Sequence, residues 1–293
     1  MTLNRKREIL TAIMVVPVFV TFGLLLVYPL AYGFYISLRD YNIVRQIDKF
    51  VLFKNYIELF HDKVFLASVY RNLIYVGGVV AANFLVGLGM ALLINKGFKG
   101  RSVVTLLLIL PMLLVPSTAA VLWRFLYDIE FGSINHILDF LGLGRHSWLG
   151  SKNTALYAVM VADIWASTPY VFLILLAGLR SLPQDCFEAA RMDGASSWQL
   201  FRYITLPLLF PIIMIVVIFK TVDTFKAFDY LWVMTRGGPG RSSHIISTYT
   251  YEHAFQYYEF GSGASMSIFT TIIILMIVML FMVILAKKRG EGH

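Results

Sequence analysis

The chain has 293 residues, 58% hydrophobic and 14% charged, whereas soluble domains run near 45–50% apolar and about 25% charged. This deficit of charge argues against a water-soluble enzyme and makes a membrane protein the default. A formal charge of +8 invites a nucleic-acid reading, but Lys and Arg punctuate apolar runs and form no basic stripe interleaved with aromatics.

An unpaired backbone amide in hydrocarbon costs several kcal/mol, so a bilayer core of about 30 Å is crossed by a helix of roughly 20 apolar residues. Runs of that length fall at about residues 9–36, 69–94, 103–126, 155–179, 208–234 and 266–286. They predict an all-α polytopic membrane protein with about six transmembrane helices. The first run follows Arg5, Lys6 and Arg7, and Ala31-Tyr32-Gly33 is a weak cleavage-like pattern. Its apolar stretch exceeds the about 7–15 residues of a signal sequence, so it reads as a retained anchor helix. Pro17 and Pro29 predict kinks in it.

Basic residues flank the spans in alternation: Arg5, Lys6 and Arg7; Lys96, Lys99 and Arg101; Arg180, Arg191 and Arg202; Lys287, Lys288 and Arg289. The positive-inside rule then places both termini and the second and fourth loops in the cytoplasm, an N-in/C-in topology. The remaining loops mix signs, with Asp40, Asp48, Glu58 and Asp62 in one and Glu130 and Asp139 in another, and face outward. Tyr249, Tyr251, Tyr257, Tyr258 and Phe260 in the last outer loop suit an aromatic belt at headgroup level.

Few residues carry recognisable chemistry. The stretch from Gly144 to Lys152 has glycines and a lysine at the wrong spacing to cradle phosphate, so any ATP must be hydrolysed by another chain. The lone Cys186 excludes an intramolecular disulfide and cannot alone supply a cysteine-rich metal site. The six histidines are scattered without metal-ligand spacing, and no metal site is assigned.

Residues 182–207 are the most informative segment. Pro183 suits a first helical position, Asp185 and Glu188 complement a helix N-terminus, and Gly194 suits a left-handed stop. Ser196 with Gln199 forms a possible capping box that starts a second short helix, and Pro207 opens the next span. A compact helix-turn-helix is expected to protrude into the cytoplasm. It is either an inert connector stabilised by its caps or, through the small Ala189 and Ala190, a docking surface.

The spacing Glu188-Ala189-Ala190, three residues, Gly194, nine residues, Ile204, one residue, Leu206-Pro207 resembles the EAA loop of permease subunits of ATP-binding-cassette (ABC) importers. Leu110-Pro111 to Trp123, Gly132-Ser133-Ile134-Asn135, Asp163-Ile164-Trp165 and Thr235-Arg236-Gly237-Gly238-Pro239 extend the likeness over nearly the whole chain. Together they resemble the carbohydrate-uptake branch, similar to maltose and glycerol-phosphate permease subunits. Arg236 departs from the small or uncharged residue that many relatives carry there.

The resemblance implies a single permease domain over residues 1–293 in a bacterial cytoplasmic (inner) membrane, with an EAA coupling helix between helices 4 and 5. It implies a second permease subunit, two ATPase subunits that bind the ATP and magnesium, and an extracytoplasmic binding protein that delivers a sugar or sugar derivative. No cofactor or catalytic residue is expected in this chain. Coupling to the ATPase carries over to Glu188, Ala189, Ala190, Asp193 and Gly194.

The fifth run holds Lys220, Asp223, Lys226 and Asp229 three residues apart. Charge at the bilayer centre costs about 2.5–3.5 kcal/mol or more, so these residues should face a bundle interior or water, pairing Lys220 with Asp223 and Lys226 with Asp229. An ion-pair ladder is one reading. The resemblance offers another, placing Asp223, Thr224, Lys226 and Ala227 near the substrate pathway. Sugar recognition wants carboxylates and amides with an aromatic plate, which adds Asp163, Trp123 and Trp165 to the candidates, with Tyr127, Tyr230 and Trp232 as further plates.

Two other classes compete. A secondary, ion-coupled transporter would also use about six spans and intramembrane charge, but predicts an internal repeat that the sequence does not show. An intramembrane enzyme with Asp163, Asp223 or Asp229 as acids lacks a matched nucleophile or ligand set.

Overall fold

The computed structural model describes residues 14–290. Arg5, Lys6, Arg7 and the first five residues of the first expected span lie outside the described residues, as does His293. Two compact units are formed, one from residues 14–65 with Thr250–Thr271 and one from Leu66–Tyr249 with residues 272–290.

In the first unit, α1 (Met14–Ser37) exposes apolar side chains along nearly its whole length, as a lipid-facing helix would. The effect of Pro29 takes the form of a widened π turn over Gly23–Val27, one turn before it, where the missing N–H leaves a carbonyl unpaired. A short antiparallel hairpin follows, β1 (Arg39–Asn42) and β2 (Ile47–Phe50), in the register Arg39↔Phe50 and Asn42↔Ile47. The all-helical expectation did not include it: the strands are four residues each, largely polar, and turn without glycine. Local polar contacts hold it, including Arg39–Asp48 at 2.7 Å and the Asn42 Oδ1 acceptance from the Arg45 amide at 2.9 Å. Asn55, on α2 (Lys54–His61), donates to the carbonyls of Ser37 and Arg39.

The second unit holds most of α3 (Lys63–Asn95), then α4 (Arg101–Ile109), α5 (Pro116–Leu126), α6 (Ser133–Phe140), α7 (Ala155–Arg180), α8 (Gln184–Met192), α9 (Ser197–Phe225), α10 (Asp229–Met234), most of α11 (Ile246–Tyr251) and the part of α12 (Phe260–Gly290) from Ile272 onward. Five described helices are long and apolar enough to cross a membrane: α1, α3, α7, α9 and α12 over Phe260–Lys287.

Two of the six expected spans depart from straight helices. The third is a pair, Arg101–Leu113 and Pro116–Leu126, bent by 99°. Pro116 forces its predecessor out of the helical region, and Leu114 and Val115 are both extended, with ψ of 137° and 138°. The fifth begins earlier and ends earlier than expected, at Phe225; the chain breaks over residues 226–228 before restarting at Asp229, which sits in the first turn of α10. The expected second short helix after Gly194 is likewise the start of α9, continuous through a π turn at Leu200–Thr205. Tyr249, expected in an interfacial belt, is buried and meets His244 edge-on.

Two apolar clusters support the second unit. One gathers Tyr75, Val79, Ala119, Val159, Leu231 and their neighbours; the other joins Leu88, Phe172, Leu175, Leu209 and Val216. Beside the first, Asn135 is fully buried in a polar knot that closes the loop after α6. Its amide donates to the Asp128 and His146 carbonyls at 3.0 and 3.1 Å. Its Oδ1 accepts from the His146 amide and Trp148 Nε1 at 3.0 and 3.2 Å. The stretch from Gly144 to Lys152 is therefore a structural loop around Asn135. Nearby, amides of Glu130 and Phe131 donate to Asp128 Oδ1, which holds that exposed carboxyl below the usual range. Asn135→Leu should strand several of these groups, at about 1–3 kcal/mol for each one left buried. The expected result is a clearly lower thermal midpoint of the detergent-solubilised protein; an unchanged midpoint would mean the knot is dispensable.

Candidate functional site

The segment after α7 forms an exposed elbow. Pro183, extended at ψ 125°, is the N-cap of α8, one position before the first helical residue. Asp185 lies in the first turn and Arg191 in the last, each complementing the helix dipole. The helix stops at Asp193 because Gly194 takes a left-handed φ of +81°. The Ala195 amide then bonds the Ala190 carbonyl at 2.9 Å and the Gly194 amide bonds Arg191 at 3.0 Å, a Schellman closure. Ser196 and Gln199 next cap one another reciprocally, with Ser196 N donating to Gln199 Oε1 at 2.7 Å.

Phe187 and Phe201 anchor the elbow on the Leu209 cluster. The opposite surface is bare. Glu188, Ala189, Asp193 and Gly194 are exposed, and Ala190 is half-buried in a groove of about 270 Å³ shared with Gln199 and Tyr203. Met192 is 89% exposed, Trp198 68% and Tyr203 73%. These three were not singled out from the sequence, although each is a large apolar or aromatic residue in an otherwise polar connector. Bare apolar side chains between carboxylates provide a contact surface and no evident bond-making chemistry.

A second constellation lies within the helices. Asp163 of α7 is buried; it accepts from Tyr75 Oη at 2.8 Å, on α3, and pairs with Lys220 Nζ at 3.2 Å, on α9. Lys220, itself 3% exposed, also reaches Asp223 at 3.5 Å. Ser167 bonds Asp163 Oδ1 at 3.1 Å and accepts from Asn83, which in turn accepts from Thr168. The ladder expected on the fifth span is thus half present. Among the described residues Lys226 and Asp229 do not pair with each other, because the helix ends at Phe225 and their one-turn spacing is lost.

The remaining pathway candidates divide. Trp123 and Trp165 meet edge-to-face at 5.7 Å and line a cavity of about 370 Å³ with Pro111, Ile164 and Pro169. Trp123 Nε1 is buried without a hydrogen-bond partner among the described residues. Asp223 is largely exposed and Lys226 exposed. Thr224 is buried, and Ala227 is partly buried with its carbonyl accepting from Ser247. Asp163 is a member of the buried network and not an open ligand. Tyr75, Asn83 and Ser167 were missed; their only sequence signal is polarity inside apolar runs.

The chain belongs to the family described as binding-protein-dependent transport system inner membrane component, which matches residues 83–290. It is a multi-pass inner-membrane permease subunit of an ABC-type importer. It is 34% identical over 267 residues to the trehalose/maltose transport system permease protein MalF of Thermococcus litoralis, covering 90% of this chain and 89% of that one. It is 30% identical to the sn-glycerol-3-phosphate transport system permease protein UgpA of Yersinia pestis, over 90% of this chain and 89% of that one. Its fold is similar to that of a chain in the crystal structure of a bacterial ABC transporter involved in the import of the acidic polysaccharide alginate. There the TM-score is 0.85 at 23% identity, covering 97% of both chains.

Proposed function

We propose that this permease forms the translocation path for a sugar or sugar derivative and transmits ATP-driven motion through α8. The complete importer would contain a second permease subunit, two ATPase subunits and an extracytoplasmic binding protein. Both compact units belong to one permease domain with N-in/C-in topology, and the elbow is cytoplasmic, consistent with Arg180, Arg191 and Arg202 around it. Glu188, Ala189, Ala190, Asp193 and Gly194 contact the ATPase, with Met192 as an apolar anchor.

The observation that carries this reading is the bare tip of α8: an 89% exposed Met192 beside an exposed Glu188-Ala189 pair, on a helix whose other face is fixed by Phe187. The names of its curated relatives support the sugar class. So does the Trp123–Trp165 pair, whose aromatic faces suit the apolar face of a sugar ring.

Cys186, the sole cysteine, is exposed on α8 and provides the test. The chain purified in mild detergent from its native membrane should bring ATPase subunits with it, and maleimide labelling of Cys186 should be about tenfold slower in that assembly than in the isolated chain. A chain that purifies alone, transports in vesicles without ATP, and labels equally fast in every state would overturn the reading.

A further inference from the structure

The buried charges of the second unit join the two helices that flank the elbow. α7 leads into α8 and α9 leads away from the turn after it, and the two pack along an apolar seam that joins Phe172, Leu175 and Leu179 to Leu209 and Val216. Near the elbow, a Cβ on Gly178 would lie 2.8 Å from Ile212 and 2.9 Å from Leu209, so α7 and α9 touch almost backbone to side chain. Further along, Asp163 and Lys220 join the same helices at 3.2 Å. Residues 163 and 178 are 15 apart, which is about 22 Å of helix at 1.5 Å per residue.

Asp163 lies nine residues, about 13 Å of helix, beyond Phe172, so the ion pair extends the contact past the apolar seam and holds the ends of α7 and α9 far from the elbow against splaying. Lys220 also extends to Asp223, in the last turn of α9 before the break at residues 226–228. We propose that Lys220 is a positioning residue for import: its ammonium clamps α7 to α9 through Asp163 and fixes Asp223, so that displacement of the elbow moves both helices as one body. Tyr75 adds a third helix to the clamp from α3. The inference rests on the reading of α8 as the ATPase contact and assigns the element that carries motion from it.

A buried charge left without its partner typically destabilises by about 3–5 kcal/mol, so Lys220→Met alone is expected to lower the yield of folded complex. The informative variant removes both charges. In Asp163→Asn/Lys220→Met the Tyr75 hydroxyl keeps an acceptor, and the reconstituted complex should assemble while moving about tenfold less substrate per ATP hydrolysed. Lys220→Arg alone, which keeps a cation opposite Asp163, should retain most of the wild-type ratio. A purely structural role would lower yield or thermal midpoint and leave the transport-to-hydrolysis ratio where it was. An assembled double variant with the wild-type ratio overturns the clamp, and an assembled Lys220→Arg variant with a ratio as low as that of the double variant does so as well. Cys186 labelling in the same preparations separates the two readings: protection with a wild-type ratio removes the clamp alone, while absence of protection removes the coupling assignment beneath it.

Discussion

Gly194→Asp should leave the permease folded and stop it importing. The position has φ +81°, and a Cβ built there meets nothing within 4 Å, so the chain itself has room for a side chain. The intrinsic strain of a non-glycine residue in this conformation is about 1–2 kcal/mol, and aspartate is among the residues that tolerate it best. What the substitution adds is a charge at the centre of the elbow, in a groove shared with Ala190 and Tyr203. Desolvating that charge against a partner surface costs several kcal/mol. A loss of about 3 kcal/mol corresponds to roughly 100-fold. Uptake into proteoliposomes should fall by that order, with the chain recovered at near-normal yield and hydrolysis either lost with assembly or no longer stimulated by the loaded binding protein. Gly194→Ala carries the backbone strain without the charge and should show only a mild loss. Normal uptake together with normally stimulated hydrolysis in the aspartate variant would remove the elbow from the coupling path.

The second large effect is on stability. Gly237 has φ +80°, and a Cβ there would lie 1.8 Å from the His244 ring. The ring has little freedom to withdraw: His244 is buried, packs edge-on against Tyr249, and its carbonyl accepts from Arg71 Nε at 2.7 Å. The surrounding turn is tied by Thr235 and Ser243, whose hydroxyls are 2.7 Å apart, and by the Ser243 hydroxyl donating to Gly238 at 2.7 Å. Gly237→Ala combines left-handed strain of about 1–2 kcal/mol with overpacking of typically 1–3 kcal/mol. Folded yield and the thermal midpoint in detergent should both drop sharply. Gly237→Ala/His244→Ala should recover part of the loss, because the clash is relieved while the backbone strain persists. Wild-type stability in the single variant would show that the turn can rearrange at little cost.

What could be read from the sequence followed the range of the interactions involved. Hydropathy runs located the helices because insertion energetics act on windows of about 20 residues. The elbow was readable in detail because caps are local: Gly194, Ser196 and Gln199 each act within five residues of themselves. The same windows could not resolve the 99° bend or the break after Phe225, since apolarity is indifferent to helix direction. Pro111 and Pro116 spelled out the bend, but proline is tolerated within other spans, as Pro169 and Pro211 show. Periodicity pointed Lys220 at Asp223, three residues away, and that contact exists at 3.5 Å. The shorter contact is to Asp163, 57 residues distant, and only the packing of α7 on α9 creates it. The exposure of Met192, Trp198 and Tyr203 is tertiary in the same way.

The bend between α4 and α5 also determines where lipid can lie. Its limbs of 13 and 11 residues measure about 20 and 16 Å along their axes, each short of a hydrocarbon core of about 30 Å. Between them the chain is extended at Leu114 and Val115, where the Leu114 amide keeps the Pro111 carbonyl and the Val115 carbonyl keeps the Ala119 amide as partners. Leu113 and Val115 are nevertheless 69% and 63% exposed. Any backbone group left unpaired at the bend must be covered by polypeptide or wetted by water, since hydrocarbon offers it no partner. Neither limb alone reaches from one headgroup layer to the other, so this segment either crosses the bilayer as a bent pair or re-enters on the side it came from.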